Sequence, residues 1–263
     1  MLKENIVNHN RLAWNKFVDS NVEYTIPVSK DVIDMAKKNI WDIRLTPLRN
    51  VPKEWLGDIK NKKILCLACG GGQQGPILSA AGAIVTVYDI SENQLEQDKK
   101  VATENNLSFN IVQGDMTDLS IFNNDSFDII FHPVSNTFVK DIIPVWQECF
   151  RVLKPEGILL SGFTNPLIYI FDSNKIKQGI FEVKYSLPYC EDQILDEKEL
   201  QLLKSQQNPL EYSHTFEKQI GGQINSGFCI SGFYEDYEKS GIIKNYFPSY
   251  FATKAIRNNF ICS

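Results

Sequence analysis

Short apolar runs alternate with amphipathic stretches in the middle of the chain, and the two patterns predict strands and helices in turn. The runs KILCLA and AIVTVYD, for example, are rich in the aliphatic and β-branched residues that favour strands. The predicted strands are Lys63–Ala68, Ala83–Asp89, Phe109–Val112, Phe127–Phe131 and Ile158–Phe163. The predicted helices are Gly75–Gly82, a segment that Ser91 caps and that runs to about Asn106, and Ile142–Leu153. This order predicts an α/β fold with a parallel sheet, which binds ligands at the carboxyl ends of its strands.

The flanks of this region do not follow the alternation. The first 59 residues favour helices near His9–Asp19 and Ser29–Asn39, whereas residues 164–212 hold aromatic and charged residues with weak periodicity. A helix from about Thr215 and strands at Phe228–Tyr234 and near Tyr250–Ala255 complete the pattern. We therefore divide the chain into a helical cap segment (1–59), a core (60–163), an insertion (164–212) and the rest of the core (213–263). The cap and the insertion are expected to cover the open end of the sheet.

The composition of the chain argues against several classes of binding partner. The 263 residues include 27 Lys and Arg against 32 Asp and Glu, a net charge of −5, which argues against a track for nucleic-acid phosphates. No run approaches the roughly 18 apolar residues of a membrane helix, and the first ten residues lack an apolar signal. We expect a soluble, cytoplasmic protein that binds neither nucleic acid nor membrane. Cys66 and Cys69 form a C-x-x-C without a second pair or a His cluster, so no metal site is predicted.

The glycine-rich segment after the first core strand is the main candidate for cofactor binding. Glycines allow the backbone to approach a ligand closely, and the following helix start attracts anions. Read loosely, Gly70, Gly72 and Gly75 match the dinucleotide pattern G-x-G-x-x-G. Anchored on the strand, however, the third glycine position of that pattern holds Gln73. An NAD-dependent oxidoreductase therefore stays open at this point as one of two readings.

The segment ILCLACGGG resembles motif I of the class I S-adenosylmethionine-dependent methyltransferases, and the resemblance continues in order along the chain. The matching features are Asp89 at the second strand end, Gly114-Asp115-Met116 after the third strand, FDII in the fourth, and RVLKPEG before the fifth. Residues 216–236 are similar to the type-11-like small-molecule methyltransferases. The resemblance implies a Rossmann-like, seven-stranded sheet of order 3-2-1-4-5-7-6 with helices on both faces. It also implies transfer of a methyl group by in-line displacement to a small-molecule acceptor, with a non-catalytic S-adenosylmethionine-binding protein as a further alternative.

The resemblance also assigns residues to the cofactor. Asp89 would accept hydrogen bonds from the ribose hydroxyls, and Asp115 would accept one from the adenine amino group. Cys66 stands where the family usually has an acid that helps to order the turn and the methionine amine of the cofactor. We expect another group, such as one from the N-terminal segment, to take over the contact to the amine. The residues expected to hold the cofactor are Trp14, Tyr24, Ala68, Cys69, Gly70, Gly72, Gln73, Asp89, Ile90, Asp115, Met116 and His132.

Two histidines are candidates for proton transfer at the acceptor. His132 follows the fourth strand, whose end faces the acceptor in this fold, and an imidazole titrates near neutral pH. The alternative is a histidine that bonds backbone or the cofactor carboxylate. His214 precedes a helix and is either a helix-start residue or, as in similar methyltransferases, a group that faces the active site. Trp14 and Tyr24 would close over the sulfonium through their aromatic faces.

Overall fold

The computed structural model describes residues 3–258, and seven strands in this range form one sheet of order β3-β2-β1-β4-β5-β7-β6. The predicted strand order is therefore confirmed. The strands are β1 Lys63–Leu67, β2 Ile84–Asp89, β3 Asn110–Gln113, β4 Phe127–His132, β5 Leu153–Thr164, β6 Phe228–Asp236 and β7 Tyr250–Arg257. Strands β1 to β5 pair in parallel, and β7 runs antiparallel to both β5 and β6.

Helices surround this sheet. They are α1 Lys3–Asp19, α2 Lys30–Ala36, α3 Lys53–Leu56, α4 Gln74–Ala80, α5 Glu92–Asn105, α6 Ile143–Val152, α7 Ser173–Lys177, α8 Glu191–Ile194, α9 Glu197–Ser205 and α10 Gly222–Asn225. A π-helical turn, Glu217–Gly221, leads into α10. None of the helices within residues 3–258 combines the length and the apolar composition needed to cross a membrane.

Alternation along β1 creates a separate hydrophobic core on each face of the sheet. Ile64 and Cys66 point into one core, which includes apolar residues of α2, α4 and α5. Leu65 and Leu67 point into the other, which is closed by α6. Successive side chains of a strand face opposite sides, so a strand buried on both faces is apolar throughout. This accounts for the unbroken run KILCL and for the helices on both faces.

The fifth strand is longer than expected. Helix α6 ends at Val152 and β5 begins at Leu153, directly where the sequence suggested a turn before a strand at Ile158. Leu153 pairs with Phe127, and a register irregularity on β4 accommodates the extra residues. Glu156 has a φ of 63° within this stretch. The Lys154–Gly157 segment is thus a distortion inside the strand rather than a connection to it.

The cap helix α1 is attached to both the core and the insertion. The hydroxyl of Ser91, at the start of α5, donates to Oδ1 of Asn15 over 2.7 Å, and Arg11 forms an ion pair with Glu92. Nearer the N-terminus of α1, Oδ1 of Asn10 accepts a hydrogen bond from the Leu210 N–H at 2.8 Å. The Asn10 amide donates in return to the Leu210 carbonyl at 3.2 Å. A single helix therefore bridges the core and the insertion.

Candidate active site

A cavity of about 840 Å³ opens at the carboxyl ends of the parallel strands. One part, the glycine-turn half, is lined by Ala68, Cys69, Gly70, Gln73, Asp89, Ile90, Asp115 and Met116. The other part, the insertion half, is lined by Thr137, Phe138, Ile168, Tyr169, Glu211 and Tyr250. The cap contributes Trp14 and Tyr24 to the same cavity. The volume lies within the roughly 300–1,000 Å³ that small-molecule sites occupy.

The glycine turn after β1 is tightly folded against its neighbours. Gly71 and Gly72 have φ values of 112° and 70°, which other residues rarely adopt. Gly70 is required for a different reason, because a Cβ there would lie 2.8 Å from Cβ of Gln94 and 3.2 Å from Cβ of Asp89. The turn therefore brings its backbone directly against the end of β2. Gly72, which was expected to hold the cofactor, is not among the residues that line the cavity. Its carbonyl accepts from the Val28 N–H of the cap at 3.0 Å.

Asp89 lies at the end of β2 and faces the glycine turn. Its Oδ2 accepts from the Gly70 N–H and its Oδ1 from the Ser91 N–H, both at 2.9 Å. Burial raises the pKa of Asp89, while these backbone donors act in the opposite direction. A carboxylate can accept about four hydrogen bonds, so capacity for a further donor remains beside these backbone groups. The side chain is thereby oriented and still able to bind hydroxyl groups.

Asp98, which the sequence analysis did not single out, supplies the carboxyl that holds the glycine turn. Its Oδ2 accepts from the Gly71 N–H at 2.9 Å, and the side chain is completely buried. Cys66, at the position where an acid was expected, lies in the apolar core instead. The carboxyl that orders the turn therefore comes from α5. Burial raises the pKa of Asp98 to about 8, although the N–H groups of the turn oppose this shift.

A sequence signal for Asp98 did exist. Asp98 follows Leu95 by three residues and precedes Val101 by three, so it lies on the inward stripe of α5. A charged residue on such a stripe needs a buried partner, and the only unexplained requirement nearby was the missing acid of the turn. The two observations together would have identified it.

Asp115 and Met116 follow β3 and reach the same half of the cavity. Oδ1 of Asp115 accepts from the Thr117 N–H at 2.9 Å, which fixes the carboxylate at the start of a turn and leaves its other oxygen for a ligand. Met116 is 9% exposed and presents an apolar surface beside it. The arrangement offers one acceptor and one apolar contact, the two interactions that a purine ring with an amino group requires.

The chemistry of this half fits S-adenosylmethionine. Asp89 keeps acceptor capacity suited to a vicinal diol, and the apolar Ile90 and Met116 lie with Asp115 in the same lining. The backbone of Gly70, together with Ala68 and Cys69, borders the cavity between them. In the range 3–258, no group of three or more His, Cys, Asp and Glu residues is arranged to hold a metal ion.

The structure places both candidate histidines outside the cavity lining. His132 is fully buried, with Nδ1 3.0 Å from the Leu67 carbonyl and Nε2 against the side-chain amide of Asn136. His214 is 4% exposed, and its Nε2 lies 3.0 Å from the Asn136 carbonyl. Desolvation lowers the pKa of both imidazoles, which keeps them neutral at pH 7. His132 and His214 both contact Asn136, which follows β4, and their ring nitrogens face groups of the protein and not the cavity.

The two cap aromatics reach the cavity as expected. The rings of Trp14 and Tyr24 meet edge to face with centroids 5.7 Å apart, and Trp14 packs in the same way on Phe138 at 5.0 Å. The side-chain amide of Gln73 donates to the Ile26 carbonyl at 2.9 Å, which joins the glycine turn to the cap. The cap is therefore a wall of the site, linked to both halves of the cavity.

The insertion half contains a hydrogen-bonded group that the sequence analysis also missed. The Tyr169 hydroxyl donates to Oε2 of Glu211 at 2.8 Å, and Oγ1 of Thr137 lies 2.5 Å from the same hydroxyl. Desolvation raises the pKa of both Glu211 and Tyr169. Glu211 stands between the buried Leu210 and Tyr212 in a segment of weak periodicity. No local pattern there distinguishes it from an ordinary surface acid.

Comparisons with known proteins agree with this geometry. A family described as a methyltransferase domain matches residues 65–161. The chain is 49% identical over 253 residues to the uncharacterized methyltransferase YbaJ of Bacillus subtilis, a match that covers 96% of this chain and 98% of that protein. It is 34% identical over 126 residues to a ubiquinone biosynthesis O-methyltransferase of Haemophilus ducreyi, covering 46% of this chain and 53% of that protein.

Solved structures show the same fold. An S-adenosylmethionine-dependent methyltransferase from Mesorhizobium loti is similar with a TM-score of 0.61 at 18% identity, over 78% of this chain and 95% of that one. A second such structure, from Listeria monocytogenes, gives a TM-score of 0.58 at 18% identity, over 79% and 96% of the two chains.

Proposed function

Because the chain belongs to the class I S-adenosylmethionine-dependent methyltransferases and so catalyses methyl transfer, we propose that its acceptor is a small molecule bound in the insertion half of the cavity. One observation carries this proposal: a single cavity of about 840 Å³ contains the cofactor motifs at one end and side chains of the cap and insertion at the other. A space of this size takes a cofactor and a small acceptor side by side. The family membership does not favour the oxidoreductase or the non-catalytic alternative.

The glycine-turn half would hold the cofactor. In this proposal Asp89 accepts the ribose hydroxyls, Asp115 with Met116 binds the adenine, and the backbone at Gly70 borders the methionine part. When bound, S-adenosylmethionine supplies a methyl group on a sulfonium, which an acceptor displaces in line without protonation of the leaving group. The protein's task is to align the acceptor and to exclude water.

The cap and the insertion would provide that enclosure. Trp14 and Tyr24 stand over the cavity from the cap, and Tyr169 with Glu211 closes it from the insertion side. Because α1 is bonded to Leu210 and to Ser91, these walls are joined and not independent flaps. We assign to these two segments the selection of the acceptor.

Relatives named for a substrate support a small acceptor only in part. The ubiquinone biosynthesis O-methyltransferase of Haemophilus ducreyi matches less than half of this chain, 46%, whereas the Bacillus subtilis methyltransferase matches 96%. A match over 46% of this chain supports the fold of the catalytic core and not the choice of acceptor. The acceptor of this chain must be sought with its own cap and insertion.

The test uses the purified full chain and S-adenosylmethionine with a tritiated methyl group. Calorimetry should show binding of S-adenosylmethionine and S-adenosylhomocysteine and none of NAD. Incubation with a Bacillus subtilis extract should place the label in molecules that pass a 3-kDa filter. Label confined to protein or nucleic acid would contradict the small-molecule acceptor, and NAD binding would contradict the cofactor assignment.

A further inference from the structure

Glu211 is a half-buried carboxyl group that lines the insertion half of the cavity. Its Oε2 accepts from Tyr169, and its Oε1 has no hydrogen-bond partner among residues 3–258. This oxygen can therefore accept a further hydrogen bond. A ligand in the cavity that donates a hydrogen bond would complete it.

The orientation of this carboxyl is fixed by neighbouring side chains. The one hydroxyl hydrogen of Tyr169 goes to Glu211, and Oγ1 of Thr137 lies 2.5 Å from the same hydroxyl. The Tyr169 ring stacks on Tyr189 with centroids 5.4 Å apart, and the Glu211 N–H donates to Glu191 at 2.8 Å. Backbone and side chain of Glu211 are therefore held, and only Oε1 is free to react.

No cation neutralises this carboxylate. In the described part of the chain, no Lys, Arg or His nitrogen forms a salt bridge with Glu211. The groups that sense its charge are the acid Glu191 and the phenols of Tyr24, Tyr169, Tyr189 and Tyr250. An unpaired carboxylate among phenol rings is a proton acceptor and not half of a structural ion pair.

We propose that Glu211 is the general base of this enzyme and that the acceptor is a neutral molecule methylated on a hydroxyl oxygen. This inference rests on the proposed function, since it requires the acceptor in the insertion half. Tyr169 is a positioning residue that orients the carboxylate through Oε2 and leaves Oε1 for the acceptor hydroxyl.

The proposed step balances in atoms and charge. The acceptor oxygen forms a bond to the methyl carbon, and the electron pair of the breaking S–C bond stays on sulfur, which becomes a neutral thioether. The acceptor O–H bond breaks, its pair remains on oxygen, and the proton goes to Oε1 of Glu211. The positive sulfonium and the negative carboxylate both become neutral, and solvent removes the proton after product release.

The same geometry disfavours an alkylamine. An alkylammonium, with a pKa near the roughly 10.4 of Lys, would pair with Glu211 and have no lone pair for attack. A hydroxyl keeps its lone pairs while it donates to the carboxylate, and its acidity rises steeply only as the new bond forms. Glu211 therefore activates a hydroxyl and would trap an ammonium ion.

The test compares wild type with Glu211→Gln, which keeps the acceptor for Tyr169 but cannot take a proton. The matched control is Glu182→Gln, a carboxyl of the insertion that pairs with Lys175 and does not line the cavity. With the Bacillus subtilis extract and tritiated S-adenosylmethionine, Glu211→Gln should lower the rate of labelling by about 100-fold or more at unchanged cofactor affinity. Glu182→Gln should stay within about twofold, and Tyr169→Phe should lose about tenfold.

The pH profile separates a base from a structural residue. Activity of wild type and of Glu182→Gln should fall as pH drops through the raised pKa of Glu211, whereas the residual rate of Glu211→Gln should lose this limb. Mass spectrometry should find the label on oxygen. A product methylated on nitrogen, sulfur or carbon, or full activity of Glu211→Gln, overturns the inference while leaving the proposed function intact.

Binding probes complete the test. With S-adenosylhomocysteine present, benzyl alcohol should bind wild type better than Glu211→Gln. Benzylamine that is itself methylated by wild type would overturn the hydroxyl assignment. Absence of label in the small-molecule fraction is a different result, because it removes the proposed function and this inference together.

Discussion

The two halves of the cavity are built by different means. The glycine-turn half consists of turns at the ends of neighbouring strands, and its lining residues fall between Ala68 and Met116. The insertion half gathers single side chains from distant places, including Thr137, Glu211 and Tyr250. The first is determined by backbone geometry close in sequence, and the second by tertiary contacts. Only the first can carry a contiguous motif.

Their carboxyl groups differ in the same way. Asp89 and Asp98 are held by backbone N–H groups of turns, which orient them as binding and structural acceptors. Glu211 is held by one phenol and keeps one oxygen without a partner in the described chain. Oδ1 of Asp98 also has no partner in the described chain, but Asp98 is enclosed, whereas Glu211 lines the cavity. A free oxygen that a ligand can reach suits a group that changes its protonation during turnover.

The largest effect on the glycine-turn half is expected from a bulky side chain in the turn itself. Gly70→Val would place a Cβ 2.8 Å from Cβ of Gln94, and the clash must displace the turn. We expect roughly 100-fold weaker S-adenosylmethionine binding, about 2.7 kcal/mol, measured by calorimetry. Gly221→Ala is the control, because its Cβ makes only an ordinary 3.7 Å contact. Equal affinity in both variants would refute the role of Gly70.

A smaller change tests the charge at the end of β2. Asp89→Asn retains the size of the side chain but loses charge-assisted acceptance, and cofactor binding should weaken by roughly 1–3 kcal/mol. Asp128→Asn, near the amino end of the central strand β4 and paired with Lys154, should leave the affinity unchanged. A wild-type affinity for Asp89→Asn would remove Asp89 from the cofactor site.

Asp98 should affect stability as well as binding. Asp98→Ala removes one of the two acceptors of the Gly71 N–H, which also donates to the Gln94 carbonyl at 3.0 Å, and should cost roughly 1 kcal/mol in urea unfolding. Asp98→Asn keeps an acceptor and should cost less. An Asp98→Ala variant as stable as wild type would show that the turn does not depend on this carboxyl.

The same residue predicts a pH dependence. The folded-state pKa of about 8 exceeds the ordinary 3.8, so between these values the folded chain holds a proton that the unfolded chain has released. This contribution to stability is present in full below about pH 4 and is lost as pH rises to about 8. The stability difference between wild type and Asp98→Asn should therefore shift in favour of Asn from pH 5 to pH 8. A constant difference would contradict the raised pKa.

The smallest effect is expected where the two halves meet. Tyr24 is 54% exposed, so an interaction of its ring with the sulfonium is worth only about 0.5–1 kcal/mol. Tyr24→Ala should weaken S-adenosylmethionine two- to fivefold and leave S-adenosylhomocysteine, which lacks the charge, nearly unchanged. Equal losses for both ligands would assign Tyr24 to packing rather than to charge.

The sequence was informative where local rules act. Alternation of apolar and polar residues predicts the strands, and the family resemblance implies their order, the glycine turn and the place of Asp89. His132 shows the limit, because side chains alternate along β4 and His132 shares the face of Ile130, toward Trp146 and α6. Counting this alternation from Ile130 would have directed the imidazole into the core. Glu211 could not be found this way, since its neighbours in space come from segments far away in sequence.

Helix α1 has a consequence for how the binding of cofactor and the binding of acceptor affect each other. Asn15 bonds to Ser91 beside Asp89, and Asn10 bonds to Leu210 beside Glu211. The two asparagines are five residues apart on one helix, a rise of about 7.5 Å, so this helix contacts the neighbours of both carboxylates. A ligand that orders the helix at one site also orders it at the other site. By thermodynamic linkage, the change in affinity that the first ligand causes for the second equals the change that the second causes for the first. Cofactor and acceptor should thus raise each other's affinity by the same factor.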